Sequence, residues 1–147
     1  MIVAFSRALA VAGLALGVAS CAQLQSSEDS QAAGRQKVVI QVSDPDPAKW
    51  NLALNNARNI QADLGKDKVE VEIVAYGPGL AMLKADSKVA PRLAQALDGG
   101  IGLMACENTM RNTKTKKDDM YHGIRYVDAG VVHIMRRQRQ GWSYVRP

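Results

Sequence analysis

Short β-branched runs alternate along the chain with segments of helical periodicity, and this alternation constrains the fold more than any other feature. Strands are predicted at residues 37–42, 68–76, 101–105, 124–127 and 142–145. A helical segment lies between each strand and the next, and parallel strands need such long crossovers. The order β-α-β-α-β-α-β-α-β therefore predicts a five-stranded, mostly parallel sheet with helices on both faces.

The first and last predicted helices have the clearest patterns. Asp46 and Pro47 provide an N-cap and a first helical residue, and Gly65 provides the end. The apolar stripe of the first helix consists of Trp50, Leu54, Ala57, Ile60 and Leu64. The last helix is predicted at residues 129–140. Its inward-facing apolar set is predicted to be Val131, Val132, Ile134 and Met135, and its mostly outward-facing basic set Arg136, Arg137 and Arg139.

Composition excludes several classes of protein. The 147 residues suit one domain, and two cysteines are too few for a disulfide scaffold. Aromatic residues make up 5% of the chain and form no evident stacking platform, so no nucleic-acid partner is expected. The net charge of +5 arises mainly near the end, because residues 106–147 hold nine basic and four acidic side chains. Such an excess is typical of a solvated face, and the alternative is contact with an anionic ligand or lipid headgroup.

The N-terminal segment is typical of an exported protein. Residues 8–19 are uncharged and apolar but fewer than the roughly 20 residues that a membrane-spanning helix needs, which favours a signal peptide at residues 1–20. The sequence VASC, ending at Cys21, resembles a bacterial lipobox. The resemblance implies cleavage before Cys21 and a lipid anchor on that residue. The alternatives are an ordinary signal cut just before it or an uncleaved anchor.

The lipobox resemblance also implies a location. The residue after the cysteine is Ala22 rather than Asp, which favours the periplasmic side of the outer membrane over retention at the inner membrane. Residues 21–36 are small and polar and are predicted to be a flexible tether. The folded domain is then expected at residues 37–147.

One cysteine stands where chemistry is expected. In open parallel sheets, ligands bind beyond the carboxyl ends of the strands, and Cys106 follows the strand at 101–105 directly. The amide groups of the next helix would lower the pKa of its thiol, and Arg111 and the lysine-rich run at 114–117 would act in the same direction. Glu107 opposes them. The alternative is an inert, buried cysteine that packs as a small hydrophobe.

Several segments together resemble the DsrE/DsrF-like family, whose members include sulfur-oxidation proteins and the sulfur-relay subunits of tRNA thiolation. They are KVVIQVSD at residues 37–44, VEIVAYGPGL ending at Leu80, ACENTM at 105–110 and GWSYVRP at 141–147. The resemblance covers the whole predicted domain. It implies a three-layer α/β/α sandwich with a five-stranded sheet, and a homo-oligomer that is a trimer or a hexamer.

The resemblance also implies a function. In sulfur-transferring members, the cysteine that matches Cys106 carries a persulfide, so Cys106 is the expected catalytic residue and a sulfur donor or acceptor protein is the expected partner. Binding of the anionic sulfur is expected from Asn108, Thr109 and Arg111. The alternative is a non-enzymatic oligomeric binding or assembly module of the cell envelope, in which Cys106 is structural.

No metal or cofactor is expected from the remaining residues. His122 and His133 lie 11 positions apart, without the Cys, His or carboxylate spacing of a metal site. The Gly77-Pro78-Gly79 segment is too short for a dinucleotide-binding fingerprint and is predicted to be a turn.

Overall fold

A single parallel sheet organises the domain. The computed structural model of the chain describes residues 34–147, so the predicted signal peptide and Cys21 lie outside the described residues. The strands are β1 (Gln36–Val42), β2 (Val69–Ala75), β3 (Gly102–Cys106), β4 (Arg125–Val127) and β5 (Ser143–Val145). Their spatial order is β4-β3-β2-β1-β5, and every neighbouring pair is parallel. The predicted α/β class with a five-stranded parallel sheet is confirmed.

Helices connect the strands and cover both faces of the sheet. They are α1 (Pro47–Leu64), α2 (Ala90–Asp98), α3 (Glu107–Asn112) and α4 (Gly130–Arg139). A 3₁₀ segment at Gly77–Leu83 follows β2 and begins where the sequence predicts a turn. Among the described residues, no helix is both long enough and apolar enough to cross a membrane.

The two faces of the sheet are covered unequally. The buried residues of α1, α2 and α3 join one large apolar cluster on the first face. The second face carries a smaller cluster, whose buried members are Val39, Val74, Met104, Ile134 and Trp142. Ile134 is the contribution of α4 to that cluster. The position of α4 therefore depends on few apolar contacts.

The first helix forms as its sequence predicts. The Asp46 carboxylate accepts a hydrogen bond from the Ala48 N–H at 2.8 Å, and Pro47 is the first helical residue. Gly65 follows the helix with a φ of 93°, a left-handed value that a glycine adopts without steric cost. The apolar stripe faces the sheet, with Trp50, Ala53, Leu54 and Ala57 buried.

The predicted orientation of α4 is wrong. Val131, Val132 and Met135 are 53%, 38% and 58% exposed, whereas Gly130 and Ile134 are buried. The reason is that His133 and Arg137 turn toward the sheet, where both bind the buried carboxylate of Glu72. A polar partner beneath the helix therefore selects its inward face over the larger apolar set.

Candidate functional site

The carboxyl ends of β2, β3 and β4 meet at one edge of the sheet. Ala75 pairs with Ala105 in the register of β2 and β3, so the following residues, Tyr76 and Cys106, lie at the same level. Cys106 in turn pairs with Val127 of β4. The sequence places Cys106 just beyond the strand, and the structure makes it both the last residue of β3 and the N-cap of α3.

The thiol of Cys106 accepts two backbone hydrogen bonds from different elements. Its Sγ lies 3.2 Å from the Gly130 nitrogen, at the first turn of α4, and 3.5 Å from the Thr109 nitrogen in α3. The residue is 4% exposed. Two N–H donors directed at one buried sulfur favour its anionic form over the thiol.

The pKa of Cys106 lies below its usual value as a result. Burial raises it, but the hydrogen bonds from the Thr109 side chain and from the Gly130 and Thr109 N–H groups, together with the nearby Asn108 N–H, outweigh burial. The Thr109 hydroxyl oxygen accepts the Gly77 N–H at 2.9 Å, which leaves the hydroxyl hydrogen free to point at the sulfur. The site therefore holds a thiol that ionises more readily than an ordinary cysteine.

Gly130 is the residue that lets α4 approach the sulfur. A Cβ atom at this position would lie 3.0 Å from Cβ of Tyr76 and 3.3 Å from Cβ of Cys106. Any side chain would push the start of α4 away from the sulfur. The N-terminal end of this ten-residue helix also carries partial positive charge, which stabilises a thiolate at this point.

The three predicted binding residues occupy different places. Thr109 contacts the sulfur, as described above. The Asn108 N–H donates to the Asp128 carbonyl at 2.9 Å and so ties α3 to the β4–α4 loop. Arg111 is exposed, and its guanidinium donates to Asn108 Oδ1 at 3.4 Å rather than to the sulfur. Of the three, Thr109 makes the hydrogen bond to the thiol, and the Asn108 N–H lies near enough to add to the lowering of the thiol pKa.

The carboxylate of Glu107 is neutralised by a lysine. Lys117 Nζ lies 3.2 Å from Glu107 Oε1 and 4.6 Å from the centre of the Tyr126 ring. The lysine-rich run therefore returns to the site, although it contacts Glu107 instead of Cys106. A paired carboxylate opposes a nearby thiolate less than an isolated one, so the expected help of the lysine-rich run to the thiolate stays a prediction.

Tyr76 is a site residue that the sequence analysis missed. Its Cβ and ring lie against Gly130, and it stands level with Cys106 at the end of β2. Burial raises the pKa of its phenol, and Tyr144 and Cys106 add to that rise. The phenol group itself has the Ser43 side chain as its hydrogen-bond partner. The alternation of β2, which places residues 72, 74 and 76 on one face, is the sequence signal that points to it.

A polar chain extends the edge toward β5. Tyr144 donates its hydroxyl hydrogen to Gln41 Oε1, and Gln41 Nε2 donates to the Ser43 hydroxyl at 3.1 Å. Gln41 is 9% exposed, so its amide groups are satisfied inside the protein rather than by bulk water. These residues make the second face of the sheet polar near its carboxyl end.

Comparison with known proteins assigns the chain to a family. No protein-family model matches it, and no curated protein matches it. The solved structure of MTH1491 from Methanobacterium thermoautotrophicum, a protein of unknown function, is 37% identical and has a TM-score of 0.73. The match covers 76% of this chain and 99% of that chain. The chain belongs to the family of that protein.

Two further solved structures share the fold. BT1422, a conserved protein of unknown function from Bacteroides thetaiotaomicron, is 15% identical with a TM-score of 0.61 over 76% of this chain and 95% of its own. The ychN protein from E. coli is 11% identical with a TM-score of 0.60 over 76% and 99%. At these identities the likeness shows the fold alone. That fold is DsrE-like, as the sequence resemblance implies.

Proposed function

We propose that this domain is a sulfur carrier in which Cys106 holds a persulfide. The observation that carries the proposal is the pair of N–H groups, from Gly130 at 3.2 Å and Thr109 at 3.5 Å, directed at a single sulfur at the carboxyl edge of the sheet. A packing cysteine needs no such donors, whereas an anionic sulfur does. The DsrE-like fold supports the proposal, because the resemblance implies a persulfide at this position.

The chemistry is an exchange without net redox change. The Cys106 thiolate attacks the outer sulfur of a donor persulfide, a new S–S bond forms, and the donor S–S bond breaks to release the donor as a thiolate. An acceptor thiolate then attacks the outer sulfur of Cys106, which leaves as a thiolate. In the first step the donors on Sγ raise the fraction of Cys106 that is thiolate, and in the second step they stabilise the thiolate that leaves, since a thiol of lower pKa leaves faster.

Replacing Cys106 with Ser should abolish sulfur loading while the fold persists, because Ser keeps the small side chain and lacks the nucleophile. The full chain is treated with a low-molecular-weight persulfide and digested with trypsin. The peptide of residues 93–111, which holds Cys106 and not Cys21, is then weighed. The unaltered peptide should gain the mass of one sulfur atom and the Ser variant none. Equal loading of the two proteins contradicts the proposal, as does no loading of the unaltered protein.

We further propose that the domain is anchored by lipid on Cys21 at the periplasmic side of the outer membrane. The VASC sequence and Ala22 support this location. More than one acyl chain gives stable attachment, at about 0.8 kcal/mol per buried methylene. Replacing Cys21 with Ala should therefore abolish labelling by radioactive palmitate and release the protein from the membrane fraction. Labelling that persists in the variant contradicts the proposal, and Cys106→Ser is the matched control that keeps it.

The alternative function is an oligomeric binding module with a structural Cys106. It is favoured by the 4% exposure of that residue and by the exposed apolar side chains of Val131, Val132 and Met135 on α4. The persulfide experiment separates the two functions when native mass is measured on the same sample. A trimer or hexamer that accepts no sulfur supports the binding module, whereas sulfur on residues 93–111 supports the carrier.

A further inference from the structure

A charged cluster outside the thiol site lies beneath α4. Glu72, in the middle of β2, has a side chain that is 0% exposed. Its Oε1 accepts from Arg137 Nη2 at 2.6 Å, and its Oε2 lies 2.9 Å from Arg137 Nε and 2.8 Å from His133 Nε2. Arg137 therefore binds the carboxylate through two nitrogens, Nε and Nη2. Such a bidentate pair fixes direction as well as distance.

The same helix connects this cluster to the sulfur. By the strand register, Glu72 lies level with Gly102, four residues before Cys106 and so about 13 Å from the carboxyl edge. Along α4, Arg137 lies seven residues from Gly130, about 10 Å of helix. One end of α4 is thus held by the Glu72 carboxylate, and the other end presents its N–H to Sγ of Cys106.

We propose that Glu72 is a positioning residue that fixes α4 and thereby keeps the Gly130 N–H at the Cys106 sulfur. The inference rests on the proposed function and adds a residue that contacts neither the sulfur nor any donor. The proposal also explains why a carboxylate is buried beneath α4. Among the described helices, α4 is the one with a buried side chain in the second, smaller cluster.

The apolar contacts of α4 do not define its position by themselves. Ile134 packs against the second cluster, and Gly130 has no side chain to hold its own end. The guanidinium of Arg137 lies 4.4 Å from the ring centre of Trp142, so Arg137 joins that contact to the ion pair. With one buried apolar residue in α4, the helix can tilt about Ile134 unless a second, directional contact holds it.

Other ionisable groups near the two ends of α4 define what the experiment must control. Tyr76 faces Cys106 from β2, and Glu107 faces the same edge from α3, paired with Lys117. From β4, the Arg125 guanidinium lies beside Gly102. The space beside Gly102 also adjoins the Glu72 side chain, whose Cγ would lie 3.2 Å from a Cβ atom there, so Arg125 is a second cation near that carboxylate. The hydrogen bonds of the Glu72 carboxylate nevertheless go to His133 and Arg137, which both lie on α4.

The test is the pH dependence of alkylation of Cys106 in the full chain. Iodoacetamide labelling is followed on the tryptic peptide of residues 93–111 from pH 5 to pH 10, with no sulfur donor present. Glu72→Gln keeps the shape of the side chain and removes its charge. We expect the midpoint to rise by about one pH unit, with labelling at neutral pH about tenfold slower.

Three variants make that shift specific. Glu70→Gln removes a carboxylate from the same face of the same strand, without an ion pair to α4, and should leave the midpoint unchanged. Leu54→Ala destabilises the opposite face of the sheet and should also leave it unchanged. Gly130→Ala displaces the donor itself and should reproduce the shift of Glu72→Gln. If Glu72→Gln does not fold, Arg137→Lys replaces it in the experiment. This variant keeps the positive charge but loses the bidentate hydrogen bonding, so it should raise the alkylation midpoint by less.

The outcomes separate this proposal from the proposed function. A midpoint in the unaltered protein at or above that of a free thiol overturns the activated thiol itself. If the unaltered protein has a low midpoint that Gly130→Ala raises but Glu72→Gln does not, the positioning role of Glu72 is wrong. The activated thiol of Cys106 would then still stand. An equal shift from Leu54→Ala also overturns the positioning role, because general loosening would then be the cause.

Discussion

The variant Arg137→Met should lose about 3 kcal/mol of its free energy of unfolding at neutral pH, the typical cost of leaving a buried charge without its partner. Glu72 is fully buried and takes two of its three hydrogen bonds from Arg137. Met fills a similar volume and donates nothing. Urea unfolding of the full chain, followed by tryptophan fluorescence, measures the loss directly.

The loss of unfolding free energy in Arg137→Met should be smaller at acidic pH. In the unaltered protein burial raises the pKa of Glu72, but the hydrogen bonds and charges of Arg137 and His133 outweigh burial and hold it below the usual 4.5. The ion pair therefore contributes its full stability above pH 4.5, and the contribution disappears as the pH falls through the lower folded pKa. In Arg137→Met only His133 still bonds the carboxylate, so burial weighs more heavily against the charge, and protonation of Glu72 relieves part of the loss.

A double variant provides the control. Glu72→Gln combined with Arg137→Met removes both charges and should recover most of the loss at neutral pH, because no buried charge is left without a partner. A double variant that is as unstable as the sum of the single variants would mean that the packing of Arg137 on Trp142, and not the ion pair, holds α4.

The layered sheet could be predicted because its signals are local. Each strand is a run of β-branched residues, and α1 carries its own cap, stripe and end between Asp46 and Gly65. The position of Cys106 at the end of β3 follows from the same reasoning, since an apolar run ends there. These features depend on residues that are neighbours in the sequence, so a single sequence is enough to predict them.

The surroundings of the thiol could not be predicted in the same way. The N–H of Gly130 reaches Cys106 across 24 positions of sequence, and His133 reaches Glu72 across 61. In α4 the three exposed apolar residues, Val131, Val132 and Met135, are more numerous than the one buried apolar side chain, Ile134. Periodicity alone therefore predicts the wrong inward face. Only the sheet register, which places a carboxylate under the helix, explains why Val131 and Met135 remain in solvent.

The backbone of the 3₁₀ segment passes close to the end of β1 at Gly79. A Cβ atom at this residue would contact the Val42 carbonyl oxygen, and would lie 2.7 Å from the Val42 carbonyl carbon and 2.9 Å from Cα of Ser43. All three are backbone atoms at the end of β1, so no side chain can move aside. The 3₁₀ segment Gly77–Leu83 can pass over the end of β1 only because Gly79 has no side chain.

Gly79→Ala should therefore destabilise the domain by about 3 kcal/mol, at the upper end of overpacking costs. Gly77→Ala is the matched control in the same segment. It has open space around it and a φ of 53°, so its expected cost is about 1–2 kcal/mol of backbone strain. Urea unfolding of both variants measures the difference, and equal losses would show that the contact with β1 does not limit the fold.

Gly79→Ala should also affect the ionisation of the Cys106 thiol. Moving the 3₁₀ segment away from β1 displaces the Gly77 N–H that holds the Thr109 hydroxyl at 2.9 Å, and Thr109 is one of the two residues whose N–H groups bind the Cys106 sulfur. In the fraction of Gly79→Ala that folds, alkylation of Cys106 should require a higher pH than in the unaltered protein. An unchanged midpoint would show that the Gly130 N–H is sufficient to hold the thiolate.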